Sequence, residues 1–376
     1  MSTPAETLRA RAAVLHECGS PMTIEEILVA PPREGEVRVR MKAAGVCHSD
    51  LHVIKGDLPM PCPIVLGHEG AGVVESTGPG VTTVRPGDHV IPVWRASCGR
   101  CEFCLGGRPA LCDMGTAMRF TGLMPDGKTR FQTADGTPVR HYAGVSTFSS
   151  LATMPEAAVV PIDPDFPLWK AALIGCGVIT GVGAVIEAAR LRPGQTLAVF
   201  GCGGIGLNAI QGGVMAQASR VIAVDNNERK RAKAMELGAT DFVHASGANT
   251  VEAVRELTGG GVDCAIEAVG DPEVIEQAYD SVRKGGICVV AGITPASARA
   301  RINVNQLVYA EKTLRGTLYG SMRPRVDLPR LIDLHRRGAF ALDSLLTRSY
   351  RLEEINEAYA DLEAGKLARG LIVWDE

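Results

Sequence analysis

Gln195-Thr-Leu-Ala-Val-Phe200-Gly201-Cys202-Gly203-Gly204-Ile205-Gly206 is the stretch on which the fold of this chain turns. Its first half is a continuous apolar run, the pattern of a strand buried on both faces of a parallel sheet. Its second half is G-x-G-x-x-G. That motif alone is weak, but here a strand precedes it and a helical pattern follows through Ala218. The next strand, Arg220-Val-Ile-Ala-Val, ends on an acid, Asp225, about twenty residues past the last glycine. Gly201, Gly203, Gly204 and Gly206 permit a tight turn and let a pyrophosphate approach the helix N-terminus, where free N–H groups meet negative charge. An acid at that strand end suits the ribose hydroxyls of NAD rather than the extra phosphate of NADP. The competing reading of Asp225 is a helix cap or a solvated strand end.

Downstream the strand–helix rhythm continues. Strands are expected at 241–244, 262–269, 286–292 and 313–319, and helices near 229–237, 251–257 and 274–282. Six strands in alternation predict a doubly wound α/β sheet. From about Met322 the pattern becomes helix, short segment, helix and strand, closing on Leu371-Ile-Val-Trp374. This tail is expected to return to the first domain.

Upstream, short alternating strands separated by Gly and Pro make residues 11–45 part of a β-rich unit. The third strand delivers the chain to Cys47. From Gly45 to Gly72 a thiol and an imidazole, Cys47 and His68, are separated by a proline-rich loop. A catalytic zinc takes three protein ligands and keeps one position open, so a third ligand is needed; Cys176, in Leu-Ile-Gly-Cys-Gly, is the candidate. Singly, each is more simply a small buried cysteine or a core histidine; only the constellation points to a metal. Cys98, Cys101, Cys104 and Cys112 are spaced C-x2-C-x2-C-x7-C. Four thiols in fifteen residues suit a closed, purely structural zinc, with an iron–sulfur cluster as the competing reading. Residues 113–150 read as loop-rich.

The 376 residues carry a formal net charge of −3. That leaves no electrostatic footprint for nucleic acid or an anionic membrane. No apolar run is read as a membrane span, and Met1-Ser-Thr-Pro-Ala-Glu6 has no signal-peptide core. A cytoplasmic protein is expected, with its eleven cysteines serving as ligands or core rather than as a disulfide framework.

Cys47-His-Ser-Asp50, Gly67-His-Glu-Gly70, the four-cysteine lobe, Gly122–Gly127, Gly144–Phe148 and the Gly201–Gly206 turn occur in one order along the chain. In these tracts the sequence resembles the zinc-dependent medium-chain alcohol dehydrogenases over nearly its whole length, with its nearest look to the class III-like branch. The resemblance implies a GroES-like β-rich catalytic domain (1–177 and 322–376, with the zinc lobe at 98–112) and a Rossmann NAD-binding domain (178–321), the active site lying in the cleft between. It also implies NAD, two zinc ions per subunit, a small alcohol or aldehyde substrate, and a homodimer or homotetramer often built on the Rossmann sheet edge.

Residue by residue, the resemblance makes Cys47, His68 and Cys176 the catalytic zinc ligands. Glu69 becomes an acid near the metal, and Asp50 the group that orients His68. A bound zinc eases loss of the alcohol proton, and Ser49 and His52 stand where the family relays it. Lys230 falls on the adenosine ribose, Arg369 and His48 on the pyrophosphate, and Thr180 and Ile205 around the nicotinamide. Trp94 and Tyr142 line the substrate pocket, which suggests a hydrophobic or aryl primary alcohol. Class III relatives bind a glutathione adduct of formaldehyde with an arginine shortly after the fourth lobe cysteine. Thr116 stands there instead, and the loop around Asp57 is shorter. A thiol-dependent formaldehyde dehydrogenase is therefore the alternative, with Arg119 or Arg130 as substitutes. A non-catalytic nucleotide-binding protein is a remoter one.

Overall fold

The computed structural model of the chain describes residues 6–245 and 249–374; the Met1–Ala5 end, read above for a leader, lies outside them. The chain divides into two compact units, Met1–Cys176 with Arg323–Ile332 and Leu342–Glu376, and Gly177–Met322 with Asp333–Ala341.

In the second unit, six strands form one parallel sheet in the order Asp241–His244, Arg220–Asp225, Thr196–Phe200, Val262–Glu267, Val282–Val290, Thr313–Gly316. This is the 3-2-1-4-5-6 order of dinucleotide-binding sheets. Leu197–Phe200 pairs on one side with Val221–Val224 and on the other with Cys264–Glu267. Its side chains are buried on both faces, as the uninterrupted apolar run requires. The covering helices begin where capping chemistry says they should. Asp271 accepts from the N–H groups of Glu273 and Val274, with proline at the first turn of Pro272–Asp280, a cap stabilising by about 1 kcal/mol.

The expected boundary needs a correction at Asp333–Ala341, which groups with the second unit and not with the rest of the tail. Buried Gln211 explains it. Its amide donates to the Ala341 carbonyl (3.1 Å) and accepts from the Ala341 N–H (2.7 Å). Detaching that segment would strand the amide oxygen and leave its nitrogen only Asn208 as acceptor.

The first unit is built on a closed barrel, Leu8–Leu15, Thr23–Val29, Phe131–Thr133, Pro138–His141 and Ile64–Val65. A second sheet has the order Val159–Ile162, His89–Pro92, Gly70–Thr77, Glu36–Val46, Arg369–Val373, Leu346–Tyr350, with Leu151–Pro155 also on Glu36–Val46. The returning tail thus lays Gly370–Val373 antiparallel to Ala43–Val46, beside the chain's entry to Cys47.

Three sequence expectations change. The chain after Cys47 is a helix, His48–Lys55, before the proline-rich loop begins. The segment after Cys112 opens with a helix, Asp113–Thr121. And Leu168–Ala189 is a 22-residue helical run with mean hydropathy 1.9, long and apolar enough to span a membrane. Its 18-residue apolar window is 89% buried inside the protein, so its apolarity is that of a core helix.

Candidate active site and metal centres

Cys47 sits with extended backbone at the N-cap of His48–Lys55. His68 leaves the barrel strand Ile64–Val65 through Gly67, whose φ of +86° only glycine adopts comfortably. A Cβ there would also meet Thr147 Oγ1 at 2.6 Å. Cys176 lies in a π turn, Ile174–Val178, inside the long apolar helix; such widened turns recur at functional positions.

These elements bring Cys47, His68, Glu69 and Cys176 together, with ligand atoms all within 4.8 Å of one another. Cys176 Sγ lies 3.4 Å from His68 Nε2. A tetrahedral zinc sets sulfur and nitrogen ligands roughly 3.6 Å apart. Nε2 faces the thiols because Nδ1 is hydrogen-bonded to Asp50 Oδ1 at 3.2 Å. Asp50 is fully buried and also accepts the Gly67 N–H at 3.0 Å. The carboxylate therefore fixes both the imidazole and the backbone that carries it. Hydrogen bonding to Cys176, with His68 and Arg369 nearby, holds the Cys47 thiol well below its ordinary range, and the same bond pushes Cys176 well above. Burial works to lower His68, but Asp50 and Cys47 outweigh it and lift the imidazole to about 10. A site so rich in negative charge suits a cation.

Glu69 is ion-paired to Arg369 through one oxygen, while buried Oε1 has no hydrogen-bond partner among the described residues. Two soft ligands, one imidazole and an orphaned carboxylate oxygen are a donor set that fits zinc. Arg369, expected on a pyrophosphate, is thus engaged beside the metal ligands. Gly45 makes the pair possible, since a Cβ there would strike the Glu69 carboxylate. It was missed because nothing local distinguishes it from any other strand glycine.

Around this cluster, Ser49 Oγ lies 3.9 Å from Cys47 Sγ. His52, one turn later, faces Asp57 at 3.1 Å, and His48 is exposed at the start of the helix. Trp94 and Tyr142 meet the His68 ring edge-on, with centroids 6.0 and 5.7 Å away. Arg119 lies over the Tyr142 ring at 4.4 Å and donates to its hydroxyl at 2.9 Å. Arg130 is not available to a substrate carboxylate: it is buried and paired with Glu36 and Asp126. Thr116 accepts from buried Arg95 at 2.7 Å.

Cys98, Cys101, Cys104 and Cys112 form a second cluster, again within 4.8 Å. The N–H of Cys101 points at Cys98 Sγ (3.3 Å) and that of Cys98 at Cys112 Sγ (3.2 Å). Backbone N–H donation, first from Cys104, lowers the Cys101 thiol to about 6, while desolvation raises Cys104 to about 12. Four thiols with N–H support and, among the described residues, no fifth ligand fit a closed zinc site.

In the second unit, Gly201 adopts φ +92° and Gly203 caps the helix Gly204–Met215. A Cβ at Gly203 would meet nothing within 4 Å, whereas at Gly206 it would strike the Gly201 carbonyl. One glycine thus leaves open space for a phosphate and the other lets the helix pack on its strand. Asp225 is buried and does more than end a strand. It accepts the Cys202 N–H (2.7 Å) and the Asn227 N–H (2.9 Å), and pairs with Lys230 (2.9 Å). It therefore ties the glycine turn to the next loop. Thr180 is buried in Ile179–Gly183. A Cβ on neighbouring Gly181 would collide with the Ile205 carbonyl, so the two expected nicotinamide neighbours sit on closely packed helices.

Two family models match. The one described as alcohol dehydrogenase GroES-like domain covers residues 33–164, and the one described as zinc-binding dehydrogenase covers 204–336. An NDMA-dependent alcohol dehydrogenase of Amycolatopsis methanolica is 46% identical over 370 residues, 97% of this chain and 99% of the relative. The S-(hydroxymethyl)glutathione dehydrogenase of Saccharomyces cerevisiae is 38% identical over 384 residues, 100% of this chain and 99% of the relative. Among solved structures, benzyl alcohol dehydrogenase from Acinetobacter calcoaceticus superposes with a TM-score of 0.93 at 33% identity, covering 98% of this chain and 100% of that one.

Proposed function

The chain belongs to the zinc-dependent medium-chain alcohol dehydrogenase family, and from that premise we propose that it oxidises hydrophobic or aryl primary alcohols reversibly to aldehydes with NAD. The observation that carries the reading is the convergence of Cys47, His68 and Cys176. These three would hold a catalytic zinc, whose Lewis acidity lowers the cost of removing the alcohol proton, while NAD supplies the hydride acceptor. The Cys98, Cys101, Cys104 and Cys112 lobe would hold a second, structural zinc.

The chain's own groups do the rest. Asp50 keeps His68 Nε2 facing the ligand site. Arg369 holds Glu69 within reach of the metal ligands without neutralising its second oxygen. Ser49 Oγ accepts the alcohol proton as it gives up its own hydroxyl proton, which is relayed to His52, at i+3 on the same helix with Asp57 as counter-charge, and on to solvent. Trp94 and Tyr142 give the substrate an aromatic wall, which favours an apolar alcohol. The thiol-adduct alternative loses Arg130, which is consumed by ion pairs with Glu36 and Asp126; Arg119, which donates to the neutral Tyr142 hydroxyl and keeps its charge, is the residue left to test for it. The glycine turn would take the pyrophosphate. Asp225, with Lys230, supports NAD over NADP through the carboxylate's charge.

A second copy of the chain is proposed at the free edge of the parallel sheet. Thr313–Gly316 ends that sheet, Leu314 is exposed on it, and Val304, Val308 and Tyr309 are exposed on the preceding helix. An uncovered apolar edge strand is a template for pairing. We place the enzyme in the cytoplasm on the strength of its eleven unpaired thiols.

The test is nucleotide reduction with benzyl alcohol, octanol and ethanol, beside formaldehyde plus glutathione, each with NAD or NADP and with a chelator control. Chelator-sensitive NADH formation on the free alcohols is the expected result; turnover confined to the thiol adduct, or to NADP, would overturn the corresponding part. The 46% identity to an NDMA-dependent relative favours a second reading, in which the nucleotide stays bound through turnover. In that case NADH does not accumulate, added NDMA sustains turnover, and the denatured protein releases nucleotide.

A further inference from the structure

Two thiols outside both metal clusters meet at the surface of the first unit. Cys18 follows the strand Leu8–Leu15, and Cys62 lies between the helix His48–Lys55 and the strand Ile64–Val65. Both are free and half-buried. Their sulfurs converge on one carbonyl, that of Met60, at 4.0 Å from Cys18 and 3.7 Å from Cys62. The Met60 carbonyl thus holds both thiols on one oxygen. The frame around them is fixed: the Gly19 N–H donates to the Ile54 carbonyl at 2.5 Å. A pair of adjacent thiols, sharing one acceptor and open to small molecules, is chemistry that neither zinc centre uses.

We propose that Cys18 and Cys62 are a reversible redox site that closes to a disulfide when a peroxide oxidant reaches it. One thiol ionises and its thiolate attacks hydrogen peroxide; the O–O bond breaks, the sulfur becomes a sulfenic acid, and the displaced hydroxide takes up the thiol proton and leaves as the first water. The second thiol then attacks that sulfur, the S–S bond forms, and a second water leaves. The pair loses two electrons and the peroxide gains them. Burial, with Cys18 alongside, pushes the Cys62 thiol up to about 11, so Cys62 is mostly protonated at neutral pH and acts as the resolving partner.

The site can reach the substrate side of the unit through packed contacts. Met60 Sδ lies 3.1 Å from Arg119 Nη1. Arg119 donates to the Tyr142 hydroxyl, and Tyr142 stands against His68. Drawing the two sulfurs to bonding distance displaces the Met60 segment and with it this chain of contacts. The expected effect is on substrate binding rather than on the ligands themselves.

The experiment treats the metal-loaded enzyme with hydrogen peroxide at a dose that leaves its zinc content unchanged, then digests it unreduced with trypsin. Peptides 12–33 and 56–95 contain Cys18 and Cys62 respectively and no other cysteine. The expected product is these two peptides joined, with a several-fold rise in KM for benzyl alcohol, both reversed by dithiothreitol. Cys18→Ser keeps the untreated KM and shows neither response, and Cys62→Ser serves as the second control. Peptides that stay separate overturn the redox site; joined peptides with an unmoved KM overturn its coupling to the substrate side. Only the kinetic arm rests on the proposed alcohol oxidation; peptide mapping reports the linkage whatever the protein turns over.

Discussion

Asp50 carries more of the site than its place three residues after Cys47 suggests. It fixes the His68 ring from Nδ1 and holds the Gly67 N–H at the same time. Asp50→Asn retains an oxygen for Gly67 but loses the charge on the imidazole. Zinc at the Cys47–His68–Cys176 site is expected to bind about 10–100-fold more weakly, read as faster loss to a competing chelator with unchanged circular dichroism. Preserved affinity would mean that the carboxylate only packs. A second residue-scale expectation concerns acid stability. His141 is buried, stacks on Phe131 with centroids 4.1 Å apart and accepts the Arg130 N–H at 3.0 Å. Desolvation, with Arg130 nearby, lowers its pKa to about 3. The folded state therefore keeps it neutral where the unfolded chain, near 6.5, takes up a proton, and stability is lost as pH falls below 6.5. Between pH 6.5 and 5 this amounts to about 2 kcal/mol. Denaturant midpoints across that window should fall less steeply for His141→Gln than for the parent; equal slopes would contradict it.

At the scale of elements, the four-cysteine lobe is expected to act as a staple and nothing more. Cys104→Ala should remove one zinc and lower the unfolding free energy by several kcal/mol. The kcat of the chains that remain folded should be unchanged, as active-site titration beside metal analysis would show. A collapse of kcat in folded protein would give the lobe a catalytic part. The sequence made some elements legible and hid others for physical reasons. Thr196–Phe200 and its glycine turn declare themselves because a strand buried on two faces must be apolar throughout, and the turn needs φ values that glycine supplies. Cys47, His68 and Cys176 are legible as candidate ligands because few other roles suit two thiols and an imidazole in such company. The helices His48–Lys55 and Asp113–Thr121 stayed hidden because short helices packed beside metal ligands draw their stability from tertiary contacts, with weak periodicity of their own. The Glu69–Arg369 pair and the Cys18–Cys62 meeting join residues 300 and 44 positions apart, which no local pattern encodes. Thr116 could be seen to depart from the glutathione-dependent relatives. That Arg130 is spent on Glu36 and Asp126 could not.

Taken as a whole, the chain divides its chemistry between two units. One carries both metal-ligand clusters and the aromatic residues around His68; the other carries the glycine turn and Asp225. Each unit has its own hydrophobic core, so loss of a metal ligand in the first need not unmake nucleotide binding in the second. That separation makes the central claim testable in one comparison. Zinc content, NAD binding and benzyl alcohol turnover would be measured side by side on the parent protein and on Cys47→Ser. The parent is expected to carry two zinc ions per chain and the variant one, with NAD affinity nearly unchanged and turnover abolished. Turnover that survives in Cys47→Ser would contradict the assignment of Cys47, His68 and Cys176 as the catalytic zinc site.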